Sequence, residues 1–424
     1  MPDQDPRKSE GEKGGVGDIR MRGFAERTDL EDALAILRSC VEPLQSEVVP
    51  LPECLGRTLA RTVISSEDVP AFDKSAVDGY ALRGAETFGA SPTDPASLEV
   101  IGEVLPGEAP GFVVGPGQAV RIMTGSVFPD GADAVLMAEH ATESGGQVLA
   151  QASVVPGRNV ARAGEDVRIG DAVLEAGRVL KPQDLGVLAS IRATDVEVVR
   201  RPTVGVLSTG NELVEPDSPE AGRPGRVVNS CRPMLEGMVS VSGGTSNWLG
   251  TFPDDRDALR EALRSFEGDI LLTTGGTSVG KEDYLPGLVA ELGELLVHGV
   301  NIRPASPLAF GRIGTTLLVL LPGNPVAAMV GFDVLVRPAI QRQLGQPEER
   351  LNRTVRGRLR RKLASALNRT DFVRVQLVGG GEVEPLRTGG AGVLTSVTEA
   401  DGFVIVPRDA EGFEAGTEVE VFLY

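Results

Sequence analysis

The periodicity of apolar residues changes several times along the chain, and each change marks a different kind of structure. Apolar residues recur at helical spacing over residues 29–41, beside a capping-box pattern that runs from Thr28 to Glu31. Residues 51–66 form a further short stretch that suits either a helix or a strand. In residues 68–157, short β-like runs are separated by Gly and Pro, and this pattern predicts a small β-rich domain.

Between Pro202 and about Gln346, strand-like runs alternate regularly with helical segments. The strand-like runs are TVGVLS, TSNWLG, DILLTT and TTLLVLL. The predicted helices lie at residues 231–241, from a cap at 254–255 to about 266, from about 283, and from Pro325, with Asn324 as its N-cap. Repeated strand–loop–helix units predict a parallel, doubly wound sheet.

The two ends of the chain differ from this central region. Residues 347–424 are again β-like, with runs such as FVRVQLV and EVEVFLY, and predict a small β-barrel or sandwich. Residues 1–24 are polar and Gly-rich and contain no apolar signal-peptide core, so we expect a disordered tail. No run approaches the roughly 20 apolar residues that cross a bilayer. We therefore expect a cytoplasmic protein without a membrane segment.

Length and charge narrow the classes of function. A chain of 424 residues is too long for one ordinary core, so several domains are expected. The formal net charge of −18 repels phosphate backbones, which argues against general nucleic-acid binding. An anionic small ligand would need local cations or helix N-termini to offset this field.

Cysteine and histidine are scarce. The three cysteines, Cys40, Cys54 and Cys231, are widely spaced, which argues against disulfides or a zinc site and favours a reducing cytosol. The chain has only two histidines, His140 and His298, which argues against a histidine metal site or a Ser-His-Asp triad. His140 follows an apolar strand, and we interpret it as a surface residue.

Three loops of unusual composition follow strands of the predicted doubly wound sheet, where ligands bind in such folds. Glycine lets a backbone approach a ligand closely, while hydroxyls and successive N–H groups hold phosphate oxygens. Each loop alone would pass as an ordinary turn, but three on one edge favour a site for a phosphate-bearing ligand. The candidate binding residues are Ser208, Thr209, Gly210, Gly275, Gly276, Ser278, Gly280, Pro322, Gly323, Asn324 and Pro325.

Known nucleotide motifs are missing from these loops, whereas carboxylates are abundant. Lys281 follows Gly280, but Glu282 stands where a P-loop requires Ser or Thr, and no GxGxxG dinucleotide motif occurs in the loops. The nearby carboxylates are Glu212, Asp254, Asp255, Glu282 and Asp283. Mg²⁺ prefers one or two carboxylates together with phosphates and water. Asp254 and Asp255 suit either such a metal ion or the cap of the following helix.

Seven ordered strings together resemble the molybdopterin molybdenumtransferase family, which includes the C-terminal part of gephyrin. They are PAFDKSAVDGYA (70–81), RIMTG (121–125), FPDGADAVLMAE (128–139), GRNVARAGED (157–166), LSTGNEL (207–213), TGGTSVGKEDY (274–284) and LPGNPVAAMVGFDVLVRP (321–338). The central region alone would also resemble molybdopterin adenylyltransferases and competence-damage-type proteins. SAVDGYA and RIMTG favour the transferase.

The resemblance implies a multidomain α/β and β fold with an elongated, L-shaped subunit. Residues 25–66 and 162–201 would form a split first domain, into which a β-rich domain of residues 67–161 is inserted. Residues 202–346 would form the doubly wound, molybdopterin-binding α/β domain, and residues 347–424 a C-terminal β-barrel. The tail of residues 1–24 lies outside these domains.

The resemblance also implies a homodimer whose active site is shared between subunits. Asp78 and Thr124 would reach across the dimer interface, and Asp166 matches a further functional carboxylate. The carboxylates expected to serve adenylyl-molybdopterin and its Mg²⁺ are Glu212, Asp254, Asp255 and Asp283. The implied reaction inserts molybdate into adenylyl-molybdopterin and releases AMP, and a molybdopterin adenylyltransferase is a candidate partner.

The chain departs from the family at the expected molybdate pocket. The family's K-P-G-K-P string is replaced by Arg303-Pro304-Ala305-Ser306-Pro307, so one cation becomes arginine and the other becomes serine. The serine that commonly follows PGNPV is Ala327, and the family's Gly-Ser pair is Gly390-Ala391. Arg374 matches the family's basic residue. We hypothesise that Arg303, Arg374 and Ser306 hold molybdate in an altered geometry.

Three functions are therefore compared. The first is an active molybdenumtransferase, which the acidic and Gly-rich motifs favour. The second is a non-transferring paralogue that binds pterin or a protein partner as a scaffold, which the changes at positions 306, 327 and 391 favour. The third is a family member with an altered oxyanion preference, such as tungstate.

Overall fold

The computed structural model describes residues 27–276, 284–346, 353–386 and 393–424. The chain divides into two compact units. The first unit joins the N-terminal segment up to Gln45 with the segment from Val199 to Tyr424. The second unit is the continuous segment Ser46–Val198. No helix within the described ranges is both long and apolar enough to cross a membrane.

A six-stranded sheet forms much of the Ser46–Val198 unit and confirms the predicted β-rich region. Its strands, in spatial order, are Ala134–Met137, Gly79–Leu82, Gln118–Ile122, Ala96–Val104, Gln147–Ala150 and Ala141–Ser144. All neighbours are antiparallel except the third and fourth strands, which are parallel. Leu82, Leu136 and Val148 are buried in one of its apolar clusters.

Short elements complete this unit. The paired strands are Ser46–Pro50 with Asp195–Val199, Val63–Ile64 with Ala172–Leu174, and Lys74–Ser75 with Val160–Ala161. The helical elements are Pro182–Ser190 and the 3₁₀ turns Leu51–Glu53, Gly84–Thr87 and Ala138–His140. Residues 51–66 thus contain a 3₁₀ turn and a two-residue strand. Leu59 from this stretch packs with Leu188 and Val198 in a separate core.

The predicted doubly wound sheet lies in the other unit. Its strands, in order, are Thr245–Phe252, Thr203–Thr209, Ile270–Thr274, Thr316–Leu321, Ala309–Ile313 and Glu294–His298. The first four are parallel, as predicted. The last two are antiparallel additions that the strand–loop–helix pattern did not predict. A further pair of short parallel strands, Leu213–Val214 and Val227–Val228, lies beside the first loop.

The helices of this sheet begin and end close to the predicted positions. They are Cys231–Val241, Arg256–Ser265, Leu285–Leu292 and a long helix that starts at Pro325 after the N-cap Asn324. The long helix comprises Pro325–Gly331, a π-helical segment Phe332–Val336, and Arg337–Gln343. Pro338 has no N–H to donate to Val334, which favours the wider π-type turn before it.

The first helix, Leu30–Cys40, is present, but the predicted capping box is wrong. Its N-cap is Asp29, and no side chain caps the helix. The Thr28 N–H instead donates to Gly299 O at 3.0 Å, and the Asp29 carboxylate accepts from Asn301 Nδ2 at 2.8 Å. Hydrogen bonds to distant residues therefore replace the local cap at this end of the helix.

A closed β-barrel forms the C-terminal region. The sequence pattern had left a barrel and a sandwich open, and the structure shows the barrel. Its strands, in order, are Thr370–Val378, Glu382–Pro385, Thr354–Leu359, Glu418–Leu423 and Gly402–Val406, and the last pairs with the first. Alternate residues fill the interior, including Val375, Val383 and Val421. The remaining elements are the strand pair Leu363–Ala364 with Gly412–Phe413, and the helix Thr395–Thr398.

One short strand attaches to this barrel from the loop after the strand Glu294–His298. Ile302–Arg303 runs parallel to the start of Thr370–Val378, with Ile302 opposite Thr370 and Arg303 opposite Asp371. The loop that follows Arg303 is therefore held against the barrel strand that carries Arg374.

We predict that Asp184→Ala destabilises the chain by about 2 kcal/mol. The buried carboxylate accepts from Arg178 Nε at 3.0 Å and Nη2 at 2.8 Å, and from the Lys181 N–H at 2.9 Å. These hydrogen bonds, above all those from Arg178, lower the pKa of Asp184. The contribution should be present above the unfolded pKa of about 4 and be lost as the pH falls through the lower folded pKa.

Urea unfolding measures this difference, with Gln183→Ala as the matched control. Gln183 is exposed in the same helix, so its substitution should change the free energy of unfolding by less than about 0.5 kcal/mol. Equal stabilities of the two variants at neutral pH would contradict the role given to Asp184.

Candidate active site

The structure brings the three candidate loops together at the carboxyl ends of the parallel strands. The Ser208 hydroxyl accepts from Thr274 Oγ1 at 2.9 Å and from Asn229 Nδ2 at 3.1 Å, and all three residues are buried. Because a buried hydroxyl without a partner is costly, these bonds support the pairing of Thr203–Thr209 with its neighbour Ile270–Thr274 at their carboxyl ends. We call residues 208–212, 274–276 and 322–325 the three-loop edge.

Gly275 and Gly276 are favoured where the loops touch, whereas Gly323 is in ordinary van der Waals contact. At Gly275, with φ of +89°, a Cβ would lie 2.3 Å from Thr209 O. At Gly276, a Cβ would lie 3.1 Å from Thr209 Cγ2, and at Gly323 it would lie 3.6 Å from Gly275 Cα. These glycines therefore first serve the direct packing of the loop backbones on one another. Residues 277–283, with the predicted Ser278, Gly280 and Asp283, lie outside the described residues.

Asp254, which follows the strand Thr245–Phe252, is hydrogen-bonded to the first loop at two points. Its Oδ1 accepts from Thr209 Oγ1 at 2.8 Å, and its Oδ2 accepts from the Asn211 N–H at 3.2 Å. Asp255 has a different task, because its Oδ1 accepts from the N–H groups of Asp257 and Ala258 at 3.1 and 2.8 Å and caps the helix. The sequence left a cap or a metal role open for both carboxylates. The structure shows the cap at Asp255 and a loop contact at Asp254.

Glu212 lies on the surface of the first loop and folds back over Gly210. A Cβ at Gly210 would lie 2.8 Å from Glu212 Oε2, so the carboxylate occupies the space that a side chain there would need. Within the described ranges, no group of three or more His, Cys, Asp or Glu residues is arranged to hold a metal ion.

A second part of the site is a cavity of about 490 Å³ between the barrel and the third loop. We call it the cationic cavity. Its wall comprises residues 302–307, 361–364, 371–374 and 385–386, together with Pro322, Asn324 and Ala327. The cavity and the three-loop edge therefore share the loop of residues 322–325.

The segment 302–307 enters the cavity in an unusual conformation. The Arg303–Pro304 peptide bond is cis, and Ala305 has φ of +84°, a region that favours glycine. Ser306 Oγ donates to Ile302 O at 2.9 Å. Its hydroxyl proton therefore closes the turn and is not offered to an oxyanion, which weighs against the direct role predicted for Ser306.

Arg374 provides the clearest electrostatic feature of the cavity. The residue is 3 % exposed, and its Nε has no hydrogen-bond partner among the described residues. Burial lowers the pKa of Arg374, and nearby Arg303 lowers it further, although Tyr424 opposes the shift. An arginine nevertheless stays protonated at neutral pH. A buried positive group that lacks a partner is costly and is well suited to an anion.

Arg303 is only loosely paired. Its Nη1 lies 3.9 Å from Asp371 Oδ2, and its side chain is 55 % exposed. Asp371 is also approached by Arg369 Nε at 2.9 Å. The structure therefore brings Arg303 and Arg374 to one cavity. The predicted departure at Ala391 lies outside the described residues.

Two cations of the cavity were missed in the sequence. Arg361 and Lys362 line it from the turn after the strand Thr354–Leu359. Arg361 pairs with Glu384 and donates to Pro385 O, and Lys362 Nζ lies 2.5 Å from Glu414 Oε1. The only sequence signal was the run Arg360-Arg361-Lys362, which has the appearance of an ordinary solvated turn.

The remaining predicted residues belong to the Ser46–Val198 unit. Asp78 Oδ1 accepts from the N–H and the Oγ1 of Thr124, both at 2.7 Å. These bonds, first the one from the backbone, lower the pKa of the exposed Asp78 carboxyl. Asp166 is exposed, and its N–H donates to Val69 O at 3.0 Å. His140 is exposed, as predicted.

Comparison with known proteins agrees with this architecture along nearly the whole chain. Residues 28–191 match the MoeA N-terminal region (domains I and II), residues 205–342 match a probable molybdopterin-binding domain, and residues 356–424 match the MoeA C-terminal region (domain IV).

Individual relatives are similar over most of their length. A molybdopterin molybdenumtransferase of Bacillus subtilis is 35% identical over 418 residues, which cover 94% of this chain and 95% of the relative. One from Staphylococcus aureus is 33% identical, covering 88% and 90%. The crystal structure of a molybdopterin biosynthesis moeA protein from Pyrococcus horikoshii superposes with a TM-score of 0.82 at 32% identity, covering 94% of this chain and all of that one.

The doubly wound sheet with its three-loop edge, joined to a closed barrel, defines a multidomain protein of the molybdopterin-binding class. The matches extend through the flanking regions on both sides of the central domain. This chain belongs to the molybdopterin molybdenumtransferase (MoeA) family of molybdenum cofactor biosynthesis.

We predict that Gly275→Ala lowers stability by more than about 2 kcal/mol, because the methyl group meets Thr209 O and the positive φ disfavours alanine. Gly287→Ala is the matched control: it lies in the helix Leu285–Leu292, nothing lies within 4 Å of its added Cβ, and alanine should stabilise it by up to about 1 kcal/mol. Thermal melting compares the two. A Gly275→Ala protein as stable as the wild type would contradict the close packing of the loops.

Proposed function

We propose that this protein inserts molybdate into adenylyl-molybdopterin and releases AMP. The observation that carries the proposal is the shared loop of residues 322–325, which borders both the three-loop edge and the cationic cavity. A phosphate-bearing pterin at the edge would lie next to an oxyanion in the cavity. The Bacillus subtilis relative, a molybdopterin molybdenumtransferase, supports the same assignment.

The three-loop edge suits the phosphates of the substrate. Ser208 and Thr274 are buried donors and acceptors that fix the strand ends, and the glycines keep side chains away from the backbone there. The long helix begins at Pro325, so its N-terminal N–H groups and dipole add positive potential at the third loop. These groups would hold and orient the substrate rather than react with it.

The cationic cavity suits molybdate. Arg374 is buried, its Nε has no partner in the described part of the chain, and Arg303 lies close enough to influence it electrostatically. A tetrahedral dianion placed between them would satisfy both charges through charge-assisted hydrogen bonds. In a protein of net charge −18, this local concentration of cations also offsets the general repulsion of anions.

The proposed reaction balances without redox change. Two Mo–S bonds to the dithiolene replace two Mo–O bonds of molybdate, and the two displaced oxygens leave as two waters, with two protons from the dithiol and two from solvent. The elements of one water cleave the phosphoanhydride P–O bond, so AMP leaves with the bonding electrons. Holding molybdate beside the pterin makes the two steps effectively intramolecular.

Mg²⁺ is part of the proposal, and the described residues fit it chemically. Asp254 is half-buried and fixed by Thr209 and Asn211, and these two contacts leave lone pairs free on its carboxylate. One or two carboxylates with substrate phosphates and water are what Mg²⁺ usually takes. Asp254 would hold the ion together with the predicted Glu212 and Asp283, whereas Asp255 caps the helix. When bound, Mg²⁺ would neutralise charge on the phosphates.

We further infer that the protein acts in the cytoplasm as a homodimer, with Asp78 and Thr124 contributed across the subunit interface. Their mutual hydrogen bonds hold the Asp78 carboxylate in one orientation, as a binding contact requires. Asp166 is the further carboxylate of this side. A molybdopterin adenylyltransferase would be the partner that supplies the substrate.

Two alternatives remain distinct from this proposal. A scaffold paralogue would have no use for a buried Arg374 whose Nε has no acceptor within the described ranges, so that residue favours an anion-binding enzyme. A tungstate-preferring enzyme would use the same cavity, since tungstate has the same charge and shape. Comparing turnover with molybdate and tungstate separates these possibilities.

We predict that the purified protein, given adenylyl-molybdopterin, Mg²⁺ and molybdate, releases AMP in a molybdate-dependent manner and activates an apo-molybdoenzyme. Arg374→Ala should lower kcat/KM for molybdate by about a hundredfold, because a charged hydrogen-bond donor is lost from a buried site. Arg356→Ala, an exposed arginine of the barrel, is the control and should be near wild type. Tight pterin binding without turnover would favour the scaffold instead.

We predict that chelation of Mg²⁺ abolishes AMP release and that Asp254→Asn raises the Mg²⁺ concentration needed for half-maximal rate by roughly tenfold. The matched control is Asp255→Asn, because asparagine is an equally good N-cap and should preserve the helix. An unchanged Mg²⁺ requirement in Asp254→Asn would remove this residue from the proposed metal site.

A further inference from the structure

We propose that Arg361 supplies a third cation to the oxyanion site, beside Arg303 and Arg374 and in place of the lysine that the chain lacks at Ser306. The inference rests on the proposed function, because it assigns a substrate-binding residue to the same cationic cavity. Four cationic side chains line this cavity among the described residues: Arg303, Arg361, Lys362 and Arg374. Asp371 is the one carboxylate among the described lining residues.

The loop of residues 302–307 cannot supply two charges. Ser306 is neutral, and its hydroxyl proton is committed to Ile302 O. Arg303 is the only cation of the loop, and it is drawn towards Asp371. A dianion bound by Arg374 and Arg303 would therefore share one of its two cations with a carboxylate, and a further fixed donor would lower the cost of desolvating the anion.

Arg361 also lines the cavity, from the turn after the strand Thr354–Leu359. Its Nε pairs with Glu384 Oε1, and its Nη2 donates to Pro385 O. Both acceptors lie on the strand Glu382–Pro385, and Pro385 itself lines the cavity. The two contacts fix the planar guanidinium at the wall. Its Nη1 keeps its donors without a partner within the described part of the chain.

The neighbouring cations are less suitable. Lys362 pairs with Glu414, and its side chain is 60 % exposed, so its flexible ammonium is directed by a surface ion pair. Arg360 pairs with Glu382 at 3.2 Å and does not line the cavity. Arg361 alone among these three is fixed by two acceptors at the cavity wall, and a fixed fork suits tetrahedral oxyanions.

The test compares Arg361→Ala with Arg360→Ala in the full chain. Arg361→Ala should raise KM for molybdate by about ten- to a hundredfold, the effect of losing one charged hydrogen bond, with little change in kcat or pterin affinity. Arg360→Ala should leave both constants unchanged. Arg361→Gln, which keeps a polar side chain without the charge, should show the same loss and guards against an effect of misfolding.

Rescue separates a binding role from a structural one. Ser306→Lys restores a cation on the loop of residues 302–307 and should recover most of the molybdate affinity in the Arg361→Ala background. If Arg361→Ala acts only by exposing the Glu384 carboxylate, then removing that carboxylate with Glu384→Ala would restore KM, and this result would overturn the inference.

The outcomes distinguish the inference from the proposed function. A wild-type protein that binds no molybdate and shows no molybdate-dependent AMP release would overturn both. A working wild type in which Arg361→Ala and Arg360→Ala have the same KM for molybdate would overturn only the role of Arg361. A raised KM that Ser306→Lys reverses would support it.

Discussion

The contact of bare loop backbones at the ends of the parallel strands is the constraint on which the site depends. Thr209 O lies so close to Gly275 that a Cβ would stand 2.3 Å away, and Gly323 packs against the same glycine. The first and second loops can share one edge only because position 275 carries no side chain. The same arrangement places the loop of residues 322–325 beside the barrel, where it becomes part of the cationic cavity.

The local charge of the cationic cavity is opposite to the net charge of the chain. The chain is strongly acidic, yet one cavity collects four arginine and lysine side chains among the described residues. Three of these, Arg303, Arg361 and Lys362, are accompanied by carboxylates, whereas the Arg374 Nε is left buried without an acceptor. Burial of this cation costs free energy in the folded state, and such a cost is typical of anion-binding sites.

The elements of the fold that could be predicted from the sequence were those that depend on residues close together in the chain. Cys231–Val241, the capped helix after Asp255, and Pro325 after Asn324 follow from periodicity and end signals over a few residues. The antiparallel strands Ala309–Ile313 and Glu294–His298 were missed because their pairing is non-local. Arg361 was missed for the same reason, since only the closed barrel brings it to the cavity that contains Arg374. Thr28 shows the converse, because a valid local cap signal was overridden by a contact with a distant segment.

The parallel pairing of Ile302–Arg303 with the strand that carries Arg374 has a consequence for how this architecture can be divided in evolution. The loop cation and the buried cation belong to one backbone ladder, although their sequence positions lie on different sides of the boundary between sheet and barrel. A shortened descendant that kept only the α/β sheet would inherit the three meeting loops and still present a phosphate-binding edge. The deletion that removed the barrel would also remove the anion cavity. The phosphate-binding edge can therefore exist without the barrel, whereas the anion cavity cannot.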